Sequence, residues 1–271
     1  MKISFIGAGN VAWHLSQALE NENHPILEVY SKTPENATLL ANKLFRCKVK
    51  DSLDFSESKA DIFFLCVSDD AMEEVVSKLK LPKNAILVHT SGSKTLADLD
   101  EYTEAFMNHP PKTGVFYPLQ TFSKSVKLLF ADIPICLETN DEGVENILIT
   151  LAQDISEITY AVTSEERKSL HIAAVFACNF TNHLWGVAQA YLREHELDFH
   201  LLEPLIRETL RKAMSAESIF EVQTGPAKRN DKKILANQFL KLKDKPEEQF
   251  IYRVLTEAIL KKANHPITAE S

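Results

Sequence analysis

The run Ile3-Ser4-Phe5-Ile6-Gly7-Ala8-Gly9-Asn10-Val11-Ala12 reads as a short apolar strand, a G-x-G-x-x-A turn and the first residues of a helix. Each position has a physical task. Gly7 allows a tight turn off the strand, Gly9 lets the backbone approach a pyrophosphate, and Ala12 is small enough for the helix to pack close to the strand. The N–H groups that open the helix then face the anion. The competing reading is a strand-to-helix turn whose glycines serve backbone geometry alone.

Outward from this stretch, the first part of the chain alternates strand and helix. Apolar runs predict strands at residues 2–6, 26–30, 62–67 and 85–89, and helices at residues 11–20, 35–44 and 71–79. Ile62-Phe63-Phe64-Leu65-Cys66-Val67 is continuously apolar, as a central strand covered on both faces requires. The alternation predicts an α/β fold with a doubly wound parallel sheet. Residues 134–137 and 158–162 predict further strands, with a helix over residues 142–155 between them.

After Thr163 the strand signals vanish. Thr163-Ser164-Glu165-Glu166 is a helix start, with a hydroxyl cap and an acidic first turn. A long helix is expected from there to residue 194, with Leu170, Ala173, Ala177, Phe180, Leu184, Val187 and Tyr191 forming one apolar stripe. Further helices are expected at residues 201–214, 232–242 and 249–263, with Thr224-Gly225-Pro226 as a break and a frayed tail after Asn264. The domains are therefore expected at residues 1–162, a dinucleotide-binding sheet domain, and 163–271, all-helical.

Composition narrows the function classes. A net charge of −8 argues against a general binder of nucleic-acid backbones. No segment approaches the roughly 18 apolar residues of a membrane span, and Met1-Lys2 leads straight into the first strand, so no signal peptide is expected. Cys47, Cys66, Cys136 and Cys178 form no C-x-x-C pair. They predict reduced thiols in a cytoplasmic protein with no zinc site.

The tip of the second strand bears on which dinucleotide would bind. NAD-selective sites place an acid about 20 residues past the glycines, on the ribose 2′-hydroxyl. Here the strand ends in Tyr30-Ser31-Lys32-Thr33, and Glu28 lies inside it. Ser31, Lys32 and Thr33 suit a 2′-phosphate, so NADP is the expected cofactor; the alternative is an ordinary polar loop ahead of Pro34.

Ligands of open α/β sheets bind outside the carboxyl ends of the strands. Ser68-Asp69-Asp70 follows one such end and His89-Thr90-Ser91-Gly92-Ser93 another. Ser68 is a candidate contact to the cofactor, Asp70 a helix cap, and the segment containing Ser91 a lining of the nicotinamide pocket or simply a turn. Tyr117-Pro118-Leu119-Gln120-Thr121-Phe122 is expected to be a loop rich in hydrogen-bonding groups, without an assigned role.

Residues 170–180 are apolar on nearly every face, which predicts a helix buried on several sides. Yet Lys168, His171, Asn179 and Asn182 fall within roughly one quarter of the circumference at about 100° per residue. Buried polar groups need partners, and a substrate pocket would provide them. Lys168 or His171 would then give a proton to a carbonyl or imine as hydride arrives, with Asn179 beside them; a solvent-facing stripe or a dimer contact is the alternative. Arg229, between helices, is a candidate for a substrate carboxylate or an exposed turn residue.

Taken together, Gly7-Ala8-Gly9-Asn10-Val11-Ala12, His89-Thr90-Ser91-Gly92, Pro118-Leu119-Gln120-Thr121-Phe122, the run from His171 to Asn179 and Thr224-Gly225-Pro226 resemble a family of Rossmann-like NADP oxidoreductases with a helical C-terminal domain of unknown function. Its wider superfamily includes ketopantoate reductases, pyrroline carboxylate reductases, hydroxyisobutyrate-type dehydrogenases and deazaflavin-linked NADP reductases. The resemblance implies that the sheet domain binds NADP through Gly7, Gly9, Asn10 and Val11. It also implies that the helical domain meets a small-molecule substrate and builds a homodimer. The chain departs from the family in two places. Tyr117 stands where the family usually has histidine, and Lys168 is followed by Ile172, not by asparagine, one helical turn later. The expected activity is hydride transfer between NADPH and a small carbonyl or imine compound; the alternative is a dinucleotide-binding sensor or scaffold without turnover.

Overall fold

In the computed structural model the described residues are 1–264; the frayed tail expected after Asn264 lies outside them. Strands β1 (Ile3–Ile6), β2 (Ile26–Tyr30), β3 (Lys48–Lys50), β4 (Ile62–Leu65), β5 (Ile86–His89), β6 (Lys112–Pro118), β7 (Ile135–Glu138) and β8 (Thr159–Ala161) form one sheet. Their order is β3-β2-β1-β4-β5-β6-β7-β8. Pairing is parallel from β3 through β6, antiparallel between β6 and β7, and parallel again between β7 and β8. The fold is thus the expected α/β, Rossmann-like, doubly wound sheet, with its last two strands inverted.

Helices α1 (Asn10–Asn21), α2 (Pro34–Ala41), α3 (Met72–Lys78), α4 (Leu96–Phe106) and α5 (Glu142–Ile155) connect the strands. β1, β4 and β5 are buried at every position, as strands covered on both faces are; β4 is apolar throughout, whereas β1 and β5 each bury one polar residue, Ser4 and His89. Phe64 stacks on Phe5 and meets Phe116 edge-on, in the core shared with α1, α2 and α5. Phe63 meets Phe55 on the opposite side, in the core shared with α3 and α4. Adjacent phenylalanines thus feed opposite layers, and a one-residue slip of β4 would exchange them, which pins its register.

Two sequence expectations change here, and one helix is added. Residues 112–118 form β6, so Tyr117 is a strand residue and not part of a loop. The strand is masked in sequence by Gly114 within it and Pro118 at its end. Helix α4 was also missed, although it opens with a capping box between Thr95 and Asp98. Asp70 caps no helix: the turn Asp69–Ala71 and α3 both begin without a side-chain cap.

The chain divides into two compact units, one running from Met1 to Asn179 and one beginning at Phe180. Helix α6 (Ser164–Ala174) starts as expected, with Thr163 and Glu166 in a capping box. A π-helical turn (Val175–Phe180) then leads to α7 (Thr181–Glu194). A π-helix holds more residues per turn than an α-helix, so the apolar stripe expected across residues 170–191 loses its phase there. Nor is the segment buried in the single chain: Ile172 is 59% and Phe176 65% exposed. Within one chain too little covers this helix for its apolar circumference to be buried. The second unit continues with α8 (Glu203–Ser215), the short α9 (Pro226–Arg229), α10 (Lys232–Lys241) and α11 (Pro246–Asn264), all helical as expected. Among the described residues no helix is long and apolar enough to cross a membrane.

Candidate active site

Parallel pairing brings the carboxyl ends of β1, β2, β4 and β5 to one edge of the sheet. The glycine turn lies there, and its two glycines differ physically. Gly7 has φ +106°, and a Cβ on it would stand 2.2 Å from the Cys66 carbonyl oxygen, so the fold itself demands glycine. Gly9 has φ −76°, which any residue adopts, and a Cβ there would meet only Cys66 O, at 4.0 Å. Among the described residues a side chain there would meet only ordinary van der Waals contact, so neither backbone nor packing demands glycine at this position. No side chain caps α1, so its first N–H groups face the same opening. A turn kept clear above uncapped helix N–H groups fits a close-approaching pyrophosphate.

At the tip of β2, Ser31 Oγ accepts from Thr33 N–H at 3.2 Å, and Lys32 and Thr33 are exposed. Glu28 points away from this tip: it accepts hydrogen bonds from Ser4 (2.9 Å) and Ser58. Glu28 therefore does not take the place of the ribose-binding carboxylate. The Glu74 carboxyl, on α3, is held below the usual range by Lys78 and, more weakly, by the charge of Lys32.

Three segments meet at Gly92. Tyr117 Oη, from the end of β6, lies 3.0 Å from His171 Nδ1 of α6, with the rings edge-to-face. A Cβ on Gly92 would stand 2.6 Å from His171 Nδ1 and 2.9 Å from Tyr117 Cζ, so this glycine makes room for the pair. Tyr117 and His171 are both half-buried, and burial pushes the Tyr117 phenol up to about 12. It is therefore a neutral O–H donor at ordinary pH. Around them, Ser93 Oγ donates to Asp69, and Ser91 Oγ accepts from the N–H groups of Ser93 (3.1 Å) and Lys94 (3.0 Å). Ser68 is exposed beyond β4.

The same segments also carry a cluster of buried polar groups. Arg167, one helical turn before His171, is fully buried; it pairs with Glu138 and donates to Lys94 O and to Ser164 Oγ (3.3 Å). Glu138 also accepts from Ser164 N–H at 2.9 Å. His89 is fully buried, and its Nδ1 accepts from Ser91 N–H at 3.1 Å. Burial, reinforced by the Arg167 charge, pushes His89 down to about 3, so the ring is neutral.

Of the polar residues expected to share one helix face, only His171 joins this site. Lys168 pairs with Glu165 at 3.0 Å near solvent, and Asn179 and Asn182 are exposed. Two causes operate: the face turned to the sheet is that of Ser164, Arg167 and His171, and the π-helical turn changes the phase of Asn179. Arg229 is exposed and holds Asp231 through Nε (3.0 Å) and Nη2 (2.8 Å). Sequence reasoning missed Arg167, Glu138 and the position of Tyr117. The spacing of Ser164, Arg167 and His171 on one helical face was a usable signal for the first.

The description "NADP oxidoreductase coenzyme F420-dependent" belongs to the family that matches residues 2–92, and a domain of unknown function, DUF2520, matches residues 133–259. Among solved structures, a Bacteroides fragilis protein described as "putative NADP oxidoreductase" is 36% identical over 96% of this chain and 98% of its own, with TM-score 0.87. An imine reductase from Myxococcus stipitatus in complex with NADP+ is 15% identical over 99% of this chain and 95% of its own, with TM-score 0.63. A reductive aminase from Aspergillus terreus in complex with NADPH and ethyl levulinate is 10% identical over 100% of this chain and 96% of its own, with TM-score 0.71. No curated protein matches the chain.

Proposed function

The chain belongs to the family of the Bacteroides fragilis protein, in which an NADP-oxidoreductase domain precedes a domain of unknown function, and from that premise we propose that it transfers hydride between NADPH and a small carbonyl or imine compound. The observation that carries this reading is the Tyr117–His171 pair, at the end of β6 beside Gly92. Gly7, Gly9, Asn10 and Val11 would hold the pyrophosphate, Ser31, Lys32 and Thr33 the 2′-phosphate, and Ser68 and Ser91 the approach to the nicotinamide. NADPH bound there supplies the hydride.

The protein's part is the proton. The Tyr117 phenol, neutral at ordinary pH and kept so more firmly by burial, donates its O–H to the substrate oxygen or nitrogen as negative charge develops there. His171, in hydrogen-bond contact through Nδ1 and acting as an imidazolium, then returns a proton to the phenolate oxygen and becomes neutral imidazole, which takes its next proton from solvent. Gly92 lets both rings reach one point. Lys168 and Asn179 carry no step in this reading.

The reading includes a homodimer built through the helical part, supported by exposed Ile172, Trp185, Leu201 and Leu205. It also includes a cytoplasmic location, supported by four cysteines without a disulfide. Calorimetric titration with NADPH and NADH tests the core of the proposal. Micromolar NADPH binding with much weaker NADH binding, followed by NADPH consumption with ketones or cyclic imines, is expected. Tight binding without turnover across such a panel would point to a sensor, and absence of binding would remove the enzyme reading.

A further inference from the structure

The loop after β6 lies against the start of α1 through three side-chain contacts. Asn10 Nδ2 donates to Phe122 O at 2.9 Å, His14 Nε2 stands 2.9 Å from Ser123 O, and Lys124 Nζ donates to Ala8 O at 2.9 Å. The Lys124 ammonium also stands 5.4 Å from the centre of the Trp13 ring, whose face attracts a cation. Ala8 is the middle residue of the Gly7-Ala8-Gly9 turn, so a full positive charge, 116 residues away in sequence, sits on the turn itself.

Three features give that charge a task. An ammonium has three N–H donors, and the described contacts use one of them, on Ala8 O. The chain carries a net charge of −8, which repels an anionic dinucleotide. Neither the glycine turn nor the first turn of α1 contains a Lys or Arg. Lys124 and Trp13 also line a cleft of about 860 Å³ that runs along α1.

We propose that Lys124 neutralises the pyrophosphate of the bound dinucleotide, making the loop after β6 part of the cofactor site. The inference rests on reading the glycine turn as a dinucleotide site. The pyrophosphate is common to NADPH and NADH, whereas the 2′-phosphate is assigned to Ser31 and Lys32. Lys124 therefore sets affinity for both dinucleotides and preference for neither.

The test is calorimetric titration of the full-length protein and its Lys124→Met and Lys124→Arg variants with NADPH, NADH and 2′-AMP, at low and high salt. Lys124→Met is expected to weaken NADPH and NADH by the same factor of about ten and to flatten the salt dependence of both, because one screened charge is gone. Lys124→Arg retains most of the affinity, and 2′-AMP, which lacks the pyrophosphate, is unaffected in every variant. Unchanged dinucleotide affinity in Lys124→Met would overturn the inference and leave the cofactor reading standing. So would a loss confined to NADPH, or one extending equally to 2′-AMP or to the Arg variant, which would mark a positional or structural role. Wild-type protein that binds neither dinucleotide would overturn both.

Discussion

The phenolic oxygen of Tyr117 lies 3.0 Å from Nδ1 of His171, although 54 residues separate them along the chain. In the proposed reaction the neutral phenol is the proton source and the His171 imidazolium reloads it. Tyr117→Phe and His171→Ala are each expected to lower NADPH turnover by roughly a hundredfold to ten-thousandfold, with NADPH affinity intact by calorimetry. A fully active His171→Ala variant would remove the imidazole from the chemistry.

Gly92→Ala asks whether the space at this point matters. Its methyl group would lie 2.6 Å from His171 Nδ1, so the two rings must part. A displacement of this kind is expected to cost about a hundredfold in turnover. The melting temperature should move little, because the rings are only half-buried. Wild-type turnover in this variant would show that the pair adapts without loss.

Ser31→Ala combined with Lys32→Asp tests the 2′-phosphate assignment. The double variant is expected to lose affinity for NADPH by tenfold or more (about 1.4 kcal/mol) while NADH binds as well or better. Equal losses for the two dinucleotides would sink the assignment.

Glu138→Ala strands the Arg167 guanidinium in the protein interior without its carboxylate. Removing one member of a buried ion pair costs about 3–5 kcal/mol, readable as a lower urea midpoint. Arg167→Met, which removes the buried charge itself, should cost less. Reversal of that order would mean that the arginine's bonds to Lys94 O and Ser164 matter more than its charge.

His89 makes stability fall in acid. The unfolded chain takes up a proton near the ordinary value of 6.5, and the folded chain only near 3. Between those values the unfolded state holds more protons, so stability decreases as pH falls, by at most about 1.4 kcal/mol per pH unit from this residue. Thermal melts from pH 7 to pH 4 should slope less steeply for His89→Gln than for the wild type. Identical slopes would place the acid sensitivity elsewhere.

How far the sequence reaches can be seen at particular residues. A continuous apolar run announces β4, because a strand covered on both faces accepts few polar side chains. The start of α6 is legible because its cap is local: Thr163 and Glu166 are three residues apart. β6 escaped because its apolar centre, Val115 and Phe116, is short and bounded by Gly114 and Pro118, which also mark turns. The face of α6 was misjudged because Arg167 and Lys168 are neighbours of like charge, and only packing against Glu138 separates the buried one from the exposed one.

The sequence by itself determined the glycine turn, the parallel sheet, the absence of an acid at the β2 tip and the change to an all-helical second half. All of these depend on periodicity or on residues a few positions apart, where local sterics and hydrogen bonding act directly. Only the tertiary structure decided that Tyr117 and His171 meet over Gly92, that Arg167 is the buried cation, and that Lys124 reaches back to Ala8. Those contacts join segments tens of residues apart. They arise when burial of the sheet and its helices fixes where each segment ends, which no local pattern records.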